Sequence, residues 1–231
     1  MQIFQKGFNF EQDGDGNRLV YHMQGCNMRC AWCTNPESMS AEGGIEVSVD
    51  EIVQEAISCI PMFFDGGGIT FTGGEPTFQF QELKQALSAL KNAGINTAIE
   101  TNATSPRLPE LLDFIDIFIM DFKHWDSTKL KEFCCVGNEI IKENFEKICS
   151  LGKRAIVRIP LVNGVNSQPH GFADYFSQFD TSNVVFEFLP YHEYGKAKWK
   201  TQYKIENGFV SKDVVAEFVK VFESKNLKVK R

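Results

Sequence analysis

Cys26, Cys30 and Cys33 fall within eight residues, spaced Cys-x3-Cys-x2-Cys directly after an apolar run. The spacing supplies three thiolates to one small inorganic centre and withholds a fourth. A [4Fe–4S] cube takes one ligand per iron, so three local cysteines leave one iron open for an exchangeable ligand, and an open iron is where chemistry can happen. Structural zinc usually takes four protein ligands in paired groups. No second cysteine pair of that kind follows, although a zinc site completed by His22, His124 or His192 stays open at this level. Disulfides fit less well. Seven cysteines in 231 residues is an odd count, and the first residues lack the charged, apolar and small-residue order of a secretory leader, so reduced thiols and a cytoplasmic location are expected.

Other residues able to do chemistry lie at intervals downstream. Gly73-Gly74-Glu75-Pro76 lets backbone approach a ligand closely, because glycine carries no Cβ. Glu100, Thr101, Asn102 and Asp121 supply hard oxygen donors, while Lys123, Arg158 and His192 supply basic groups. Each has a bland alternative. Asp121 and Glu100 could be buried carboxylates paired with Lys123, and Arg158 could be an ordinary ion-pair partner.

The elements that must position these groups follow from hydrophobic patterning. Apolar runs at 18–24, 69–72, 95–100, 115–121, 154–160 and 184–190 read as strands. Helical periodicity or helix-start chemistry marks 50–59, 80–93, 108–114, 139–151, 169–179 and 212–224. Strands apolar throughout and separated by helices imply parallel pairing under helical cover. Six such units predict an α/β fold in which a (β/α)6 sheet curves into a partial, open TIM-like barrel, in one domain over residues 1–231. The candidate residues follow or end successive strands, and in such sheets ligands bind at the carboxyl ends of the strands.

Composition narrows the class. The chain is 43% hydrophobic and 23% charged, enough for a sizeable core, and its 21 phenylalanines are assigned to packing. A net charge of −6 argues against nucleic acid as a partner. No apolar run approaches the ~20 residues that cross a bilayer, so no membrane association is expected. Lys196, Lys198, Lys200 and Lys204 form a small basic patch that could meet an acidic partner or be a solvated face.

Cys26-x3-Cys30-x2-Cys33 is the signature of the radical S-adenosylmethionine (radical SAM) superfamily, and the chain resembles its glycyl-radical-enzyme activating enzymes over about residues 8–231. Gly73-Gly74-Glu75-Pro76, Glu100-Thr101-Asn102, Asp121-Phe122-Lys123, Arg158 and the run 189–199 carry the likeness in order and approximate spacing. The resemblance implies a radical SAM core with one [4Fe–4S] cluster on Cys26, Cys30 and Cys33, and S-adenosylmethionine (SAM) chelating the open iron. It implies SAM contacts from Trp32, Asn35, Gly73, Gly74, Glu75, Thr101, Asn102, Lys123, Arg158 and His192. No catalytic residue is implied beyond the cluster and the SAM site. A monovalent cation at Glu100, Thr101 and Asp121 is implied as well, although the activating enzyme whose cation site these positions match carries aspartate where this chain has Glu100.

Only about 40 residues separate Cys33 from Gly73, too few for the ferredoxin-like insertion many activases carry, so one cluster is expected. The partners implied are a glycyl-radical enzyme of the pyruvate formate-lyase kind as substrate and a flavodoxin or ferredoxin as electron donor, working anaerobically. Two alternatives stay open: a radical SAM enzyme acting on a small molecule or peptide, and a metal-binding protein without catalysis.

Overall fold

The structure is a computed structural model that describes residues 1–230. In chain order the elements are β1 (Gln2–Phe10), β2 (Asn17–Met23), β3 (Ile45–Glu46), α1 (Val49–Ser58), β4 (Gly68–Gly73), α2 (Phe80–Asn92), β5 (Thr97–Thr101), β6 (Ile117–Asp121), α3 (Ser127–Cys134), α4 (Glu139–Ser150), β7 (Ala155–Leu161), α5 (His170–Phe176), β8 (Val184–Pro190) and α6 (Lys212–Ser224). Among the described residues the strands form one open, mostly parallel sheet of eight, ordered β3-β1-β2-β4-β5-β6-β7-β8. The parallel ladders β2·β4, β4·β5 and β7·β8 are the pairing that the six apolar runs predict.

Two strands and one helix escape the patterning. β1 lies antiparallel to β2 and β3 antiparallel to β1, and most of their residues are partly or fully exposed, so neither carries an apolar signature. α3 is only eight residues long, opened by Asp126, whose carboxylate accepts from Thr128 N at 2.7 Å and Lys129 N at 3.2 Å. The helix expected at 108–114 is instead a single 3-10 turn, Leu108–Leu111. Thr97 withdraws the following chain from helical geometry: its hydroxyl donates to Phe114 O at 2.5 Å, and its N–H to Asp116 Oδ2 at 2.9 Å.

The residues group into two compact units. The first comprises Met1–Asn27, Ser38–Thr101 and Ser105–Ile119; the second comprises Met28–Glu37, Asn102–Thr104 and Met120–Arg231, described here to residue 230. The first unit buries Arg18 entirely. Its guanidinium donates to Thr70 Oγ1 at 2.7 Å, Ile69 O at 2.7 Å and Asn96 Oδ1 at 2.9 Å, which meets the rule that a buried charge must find hydrogen-bond partners. α1 starts on a reciprocal capping box between Ser48 and Glu51 and buries Ile52 and Ala56. The second unit is built around phenylalanine. Phe122, Phe145, Phe172, Phe176, Phe186, Phe218 and Phe222 are fully buried and meet mostly edge to face or tilted, as at Phe176–Phe186 with centroids 4.7 Å apart.

Candidate functional site

In the first unit, β2 and β4 run parallel with Met23 opposite Gly73, so the segments leaving both strands emerge side by side. Gly74 N donates to Met23 O at 2.8 Å, Glu75 N to Gly25 O at 2.8 Å, and Gly25 N to Ser38 O at 2.9 Å. The residue before Cys26 is thereby bonded to the Gly-Gly-Glu turn. Glycine is required there on steric grounds. Gly73 sits at φ +111, and a Cβ on Gly74 would stand 2.2 Å from Gly25 O.

Glu75 is 1% exposed, and its Oε1 accepts from Thr77 N at 3.0 Å, Thr77 Oγ1 at 2.5 Å and Thr101 Oγ1 at 2.7 Å. One carboxylate oxygen therefore ties the turn after β4 to the end of β5. The neighbouring Glu100 accepts from Thr72 Oγ1 at 2.8 Å. Cys26, half-buried, belongs to this unit.

Cys30 and Cys33 belong to the second unit. Their loop is held by backbone bonds, from Arg29 N to Cys134 O at 3.0 Å, Ala31 N to Phe133 O at 2.9 Å and Cys33 N to Cys30 O at 3.1 Å. The chain after β8 braces it further. Trp199 Nε1 donates to Cys33 O at 3.1 Å, and Lys198 Nζ reaches Asn35 Oδ1 at 3.0 Å and Glu37 Oε1 at 2.9 Å. Gly195 lies so close that an added Cβ would stand 2.5 Å from Thr34 Cα. Trp32 packs beside a small core of Ala31, Val162, Tyr191 and Ile205, with Phe133 6.4 Å away between ring centroids.

The basic candidates are also positioned by partners. Lys123 Nζ bonds Asp121 Oδ2 at 2.7 Å; burial pushes its ammonium down, but the Asp121 carboxylate outweighs burial and holds it above its ordinary value. Arg158 Nε donates to Glu187 Oε2 at 2.8 Å, and Lys230 meets the other Glu187 oxygen at 2.9 Å. Asn102 Oδ1 accepts from Thr104 N at 3.0 Å and Thr104 Oγ1 at 2.6 Å, holding Ala103 at φ 56. His192 stacks on Tyr194 with ring centroids 4.3 Å apart.

His124 is a structural residue here. Its Nδ1 accepts from Asp126 N at 2.9 Å and its Nε2 faces Val165 O at 3.1 Å, which occupies both ring nitrogens. Two further residues carry weight that local patterning does not reveal. Buried Asn166 accepts from Val162 N at 2.7 Å and donates to Lys123 O at 2.8 Å and Pro160 O at 2.5 Å, fixing the backbone at Lys123. Cys134, whose carbonyl braces the cysteine loop, carries no motif of its own; only its place at the end of α3 brings it there.

The donor set suits iron and sulfide. The neighbouring Cys134 thiol and burial push Cys30 up, while burial and Cys30 push Cys33 up to about 11. Thiols held protonated in this way give up the proton to a metal, since a coordinating thiol is deprotonated outright. The Lys123 ammonium beside both offsets part of the charge that results. Among the described residues, no three His, Cys, Asp or Glu side chains converge as ligands of a single ion. A cube distributes its thiolates over separate irons and does not require that convergence.

The model of the radical SAM superfamily matches residues 20–175. The pyruvate formate-lyase-activating enzyme of Staphylococcus epidermidis is 33% identical over 211 residues, covering 84% of each chain. A solved domain of a pyruvate-formate lyase-activating enzyme from Bacteroides vulgatus is similar with a TM-score of 0.61 and 26% identity, covering 71% of this chain and 98% of that one. The fold also matches SuiB of Streptococcus suis, solved with S-adenosylmethionine, with a TM-score of 0.71 and 17% identity over 91% of this chain and 49% of that one.

Proposed function

The chain belongs to the radical SAM superfamily, and from that premise we propose that it is a glycyl-radical-enzyme activating enzyme, an oxidoreductase formed by a single radical SAM domain. Its substrate is a backbone glycine of a partner enzyme of the pyruvate formate-lyase kind. The Cys-x3-Cys-x2-Cys spacing on the loop after the first parallel strand carries this reading, because three thiolates and one open iron are what SAM chelation requires. The likeness to the staphylococcal activating enzyme supports the choice of substrate class.

Cys26, Cys30 and Cys33 hold the cluster as thiolates. When bound, the cluster and SAM would supply one-electron reductive cleavage of the sulfonium and, through it, removal of a hydrogen atom from the glycine Cα. The protein's own work is placement and exclusion of water. Gly73 and Gly74 bring backbone up to the amino end of SAM, with Glu75 and Thr101 locking that turn in place. Asn35 and Asn102 contribute polar contacts to SAM, and Trp32 covers the adenine while shielding the cluster loop. Lys123, Arg158 and His192 are the basic groups that would meet the SAM carboxylate, the ribose or the incoming glycyl loop. A monovalent cation would be taken up on the oxygens of Glu100, Thr101 and Asp121, the last of which accepts from Lys123 through Oδ2.

The electron comes from a flavodoxin or ferredoxin in an anaerobic cytoplasm. Anaerobic reconstitution followed by reduction with SAM should yield a brown protein and 5′-deoxyadenosine, and a glycyl doublet in electron paramagnetic resonance once the partner is added. Alanine at Cys26, Cys30 or Cys33 should abolish colour and cleavage together. SAM cleavage that survives such a replacement would falsify the assignment.

A further inference from the structure

Arg158 and Glu187 are directly opposed on the neighbouring strands of the β7·β8 ladder. Phe186 and Phe188, on either side of Glu187, pack on phenylalanines of the helices, Phe186 on Phe176 and Phe222, and Phe188 on Phe218. Side chains alternate along a strand, so Glu187 leaves the sheet by its other face, and Arg158, bonded to it, shares that face. Both side chains are mostly buried, at 8% and 18% exposed, and Arg158 Nε donates to Glu187 Oε2 at 2.8 Å. The other carboxylate oxygen is engaged as well. Lys230 Nζ meets Glu187 Oε1 at 2.9 Å, and Lys230 N donates to Phe186 O at 2.8 Å, one residue away. Glu187 cannot swing away from Arg158 without giving up a second ion pair. Replacing a buried ion pair by well-packed apolar side chains is often neutral or stabilising, so stability alone is a poor reason for this one. What the pair does provide is an arginine whose flexible stem is fixed before a ligand arrives.

We propose that Glu187 is a positioning residue for SAM: it holds the Arg158 guanidinium in the orientation that receives the SAM carboxylate, and Lys230 keeps Glu187 in place. The inference rests on the reading of Arg158 as a SAM contact. A guanidinium binds a carboxylate through parallel N–H bonds, so its affinity depends on the direction of its plane as well as on its charge. Ordering a loose arginine at the moment of binding weakens affinity by up to about tenfold, and Glu187 removes that penalty in advance. Glu187 acts through Arg158 and makes no contact with SAM of its own.

The test is anaerobic equilibrium dialysis of SAM against the reconstituted full chain, on wild type, Glu187→Ala, Glu187→Gln, Arg158→Ala and the double variant Glu187→Ala/Arg158→Ala. Iron content and urea midpoint are recorded for each. Glu187→Ala should weaken SAM binding about tenfold, while 5′-deoxyadenosine formation at saturating SAM stays within about twofold of wild type. A merely structural role would lower the urea midpoint and leave the SAM affinity of the folded chain alone. Arg158→Ala should weaken SAM at least as much, and adding Glu187→Ala to it should weaken SAM no further, because nothing is left to position. Glu187→Gln keeps the side-chain volume and decides the question where the alanine variant does not fold. It should weaken SAM about threefold, since a neutral amide bonds a guanidinium about half as strongly as a carboxylate does. Unchanged affinity in a folded, cluster-loaded Glu187 variant overturns the proposal, and so does a double variant that binds more weakly than Arg158→Ala alone. A wild-type chain that binds no SAM, or an Arg158→Ala variant that binds it as wild type does, defeats instead the reading of the site on which the proposal rests.

Discussion

Several residues in this chain are irreplaceable for steric rather than chemical reasons. Gly74 shows it most sharply, because a single methyl group would fall 2.2 Å from Gly25 O. Gly74→Ala should cost about 1–3 kcal/mol, the usual penalty of overpacking, and lower the urea midpoint. It should also weaken SAM binding measured by equilibrium dialysis, because Gly25 is the residue before Cys26. Glu75 is fixed instead by hydrogen bonding. With three donors gathered on one carboxylate oxygen at 1% exposure, Glu75→Ala leaves buried hydroxyls without their acceptor. A loss of about 1–3 kcal/mol in denaturant unfolding is expected, since unmet buried groups cost that much. Glu75→Gln retains an acceptor oxygen and should recover more than half of it.

At the level of elements, the ladder β7·β8 carries an acid-sensitive cluster. Burial pushes the Glu187 carboxyl up, but Arg158 and Lys230 outweigh burial and hold it below its ordinary value of 4.5. A carboxyl depressed in the folded state contributes stability that is fully present above 4.5 and is lost as pH falls through the folded value. The stability difference between wild type and Glu187→Gln should therefore be largest near neutral pH and shrink on acidification below 4.5, read from urea melts across that range. A difference independent of pH would sink this account. Helix α1 offers a contrast remote from the site: Ser48→Ala breaks its capping box and should cost about 1 kcal/mol, with cluster loading unchanged.

For the molecule as a whole, stability resides in the interior of each compact unit. In the second unit, Phe176 meets Phe122, Phe145, Phe186 and Phe222 with ring centroids between 4.7 and 6.2 Å. Phe176→Ala should cost about 3–5 kcal/mol, seen as a large fall in melting temperature. Of the 21 phenylalanines in the sequence, which the residues alone assign to packing, ten are buried, while Phe8, Phe10, Phe64, Phe78 and Phe209 are exposed. Among the described residues, no helix is long and apolar enough to cross a membrane.

The sequence by itself determined whatever depends on neighbours in the chain. Cys26, Cys30 and Cys33 stand out as candidate ligands of one centre through their spacing alone. The six parallel-type strands are legible because mostly buried strands are rich in apolar residues, although β8 buries only Val184 and Phe186 and β2 carries the buried Arg18. Helix α6 is legible because Ser211 caps a periodic run. Tertiary structure decided what depends on partners distant in sequence. β1 and β3 are mostly exposed and leave no apolar trace, and the turn at Leu108–Leu111 is bent by Thr97. Arg158 is committed to Glu187, 29 residues on, and the placement of Cys134 beside Cys30 rests on contacts about 100 residues apart in the chain. Periodicity and local propensity report only which face of an element is buried. Which residue meets which across the fold is set by long-range backbone bonds, and these leave no pattern in the order of residues.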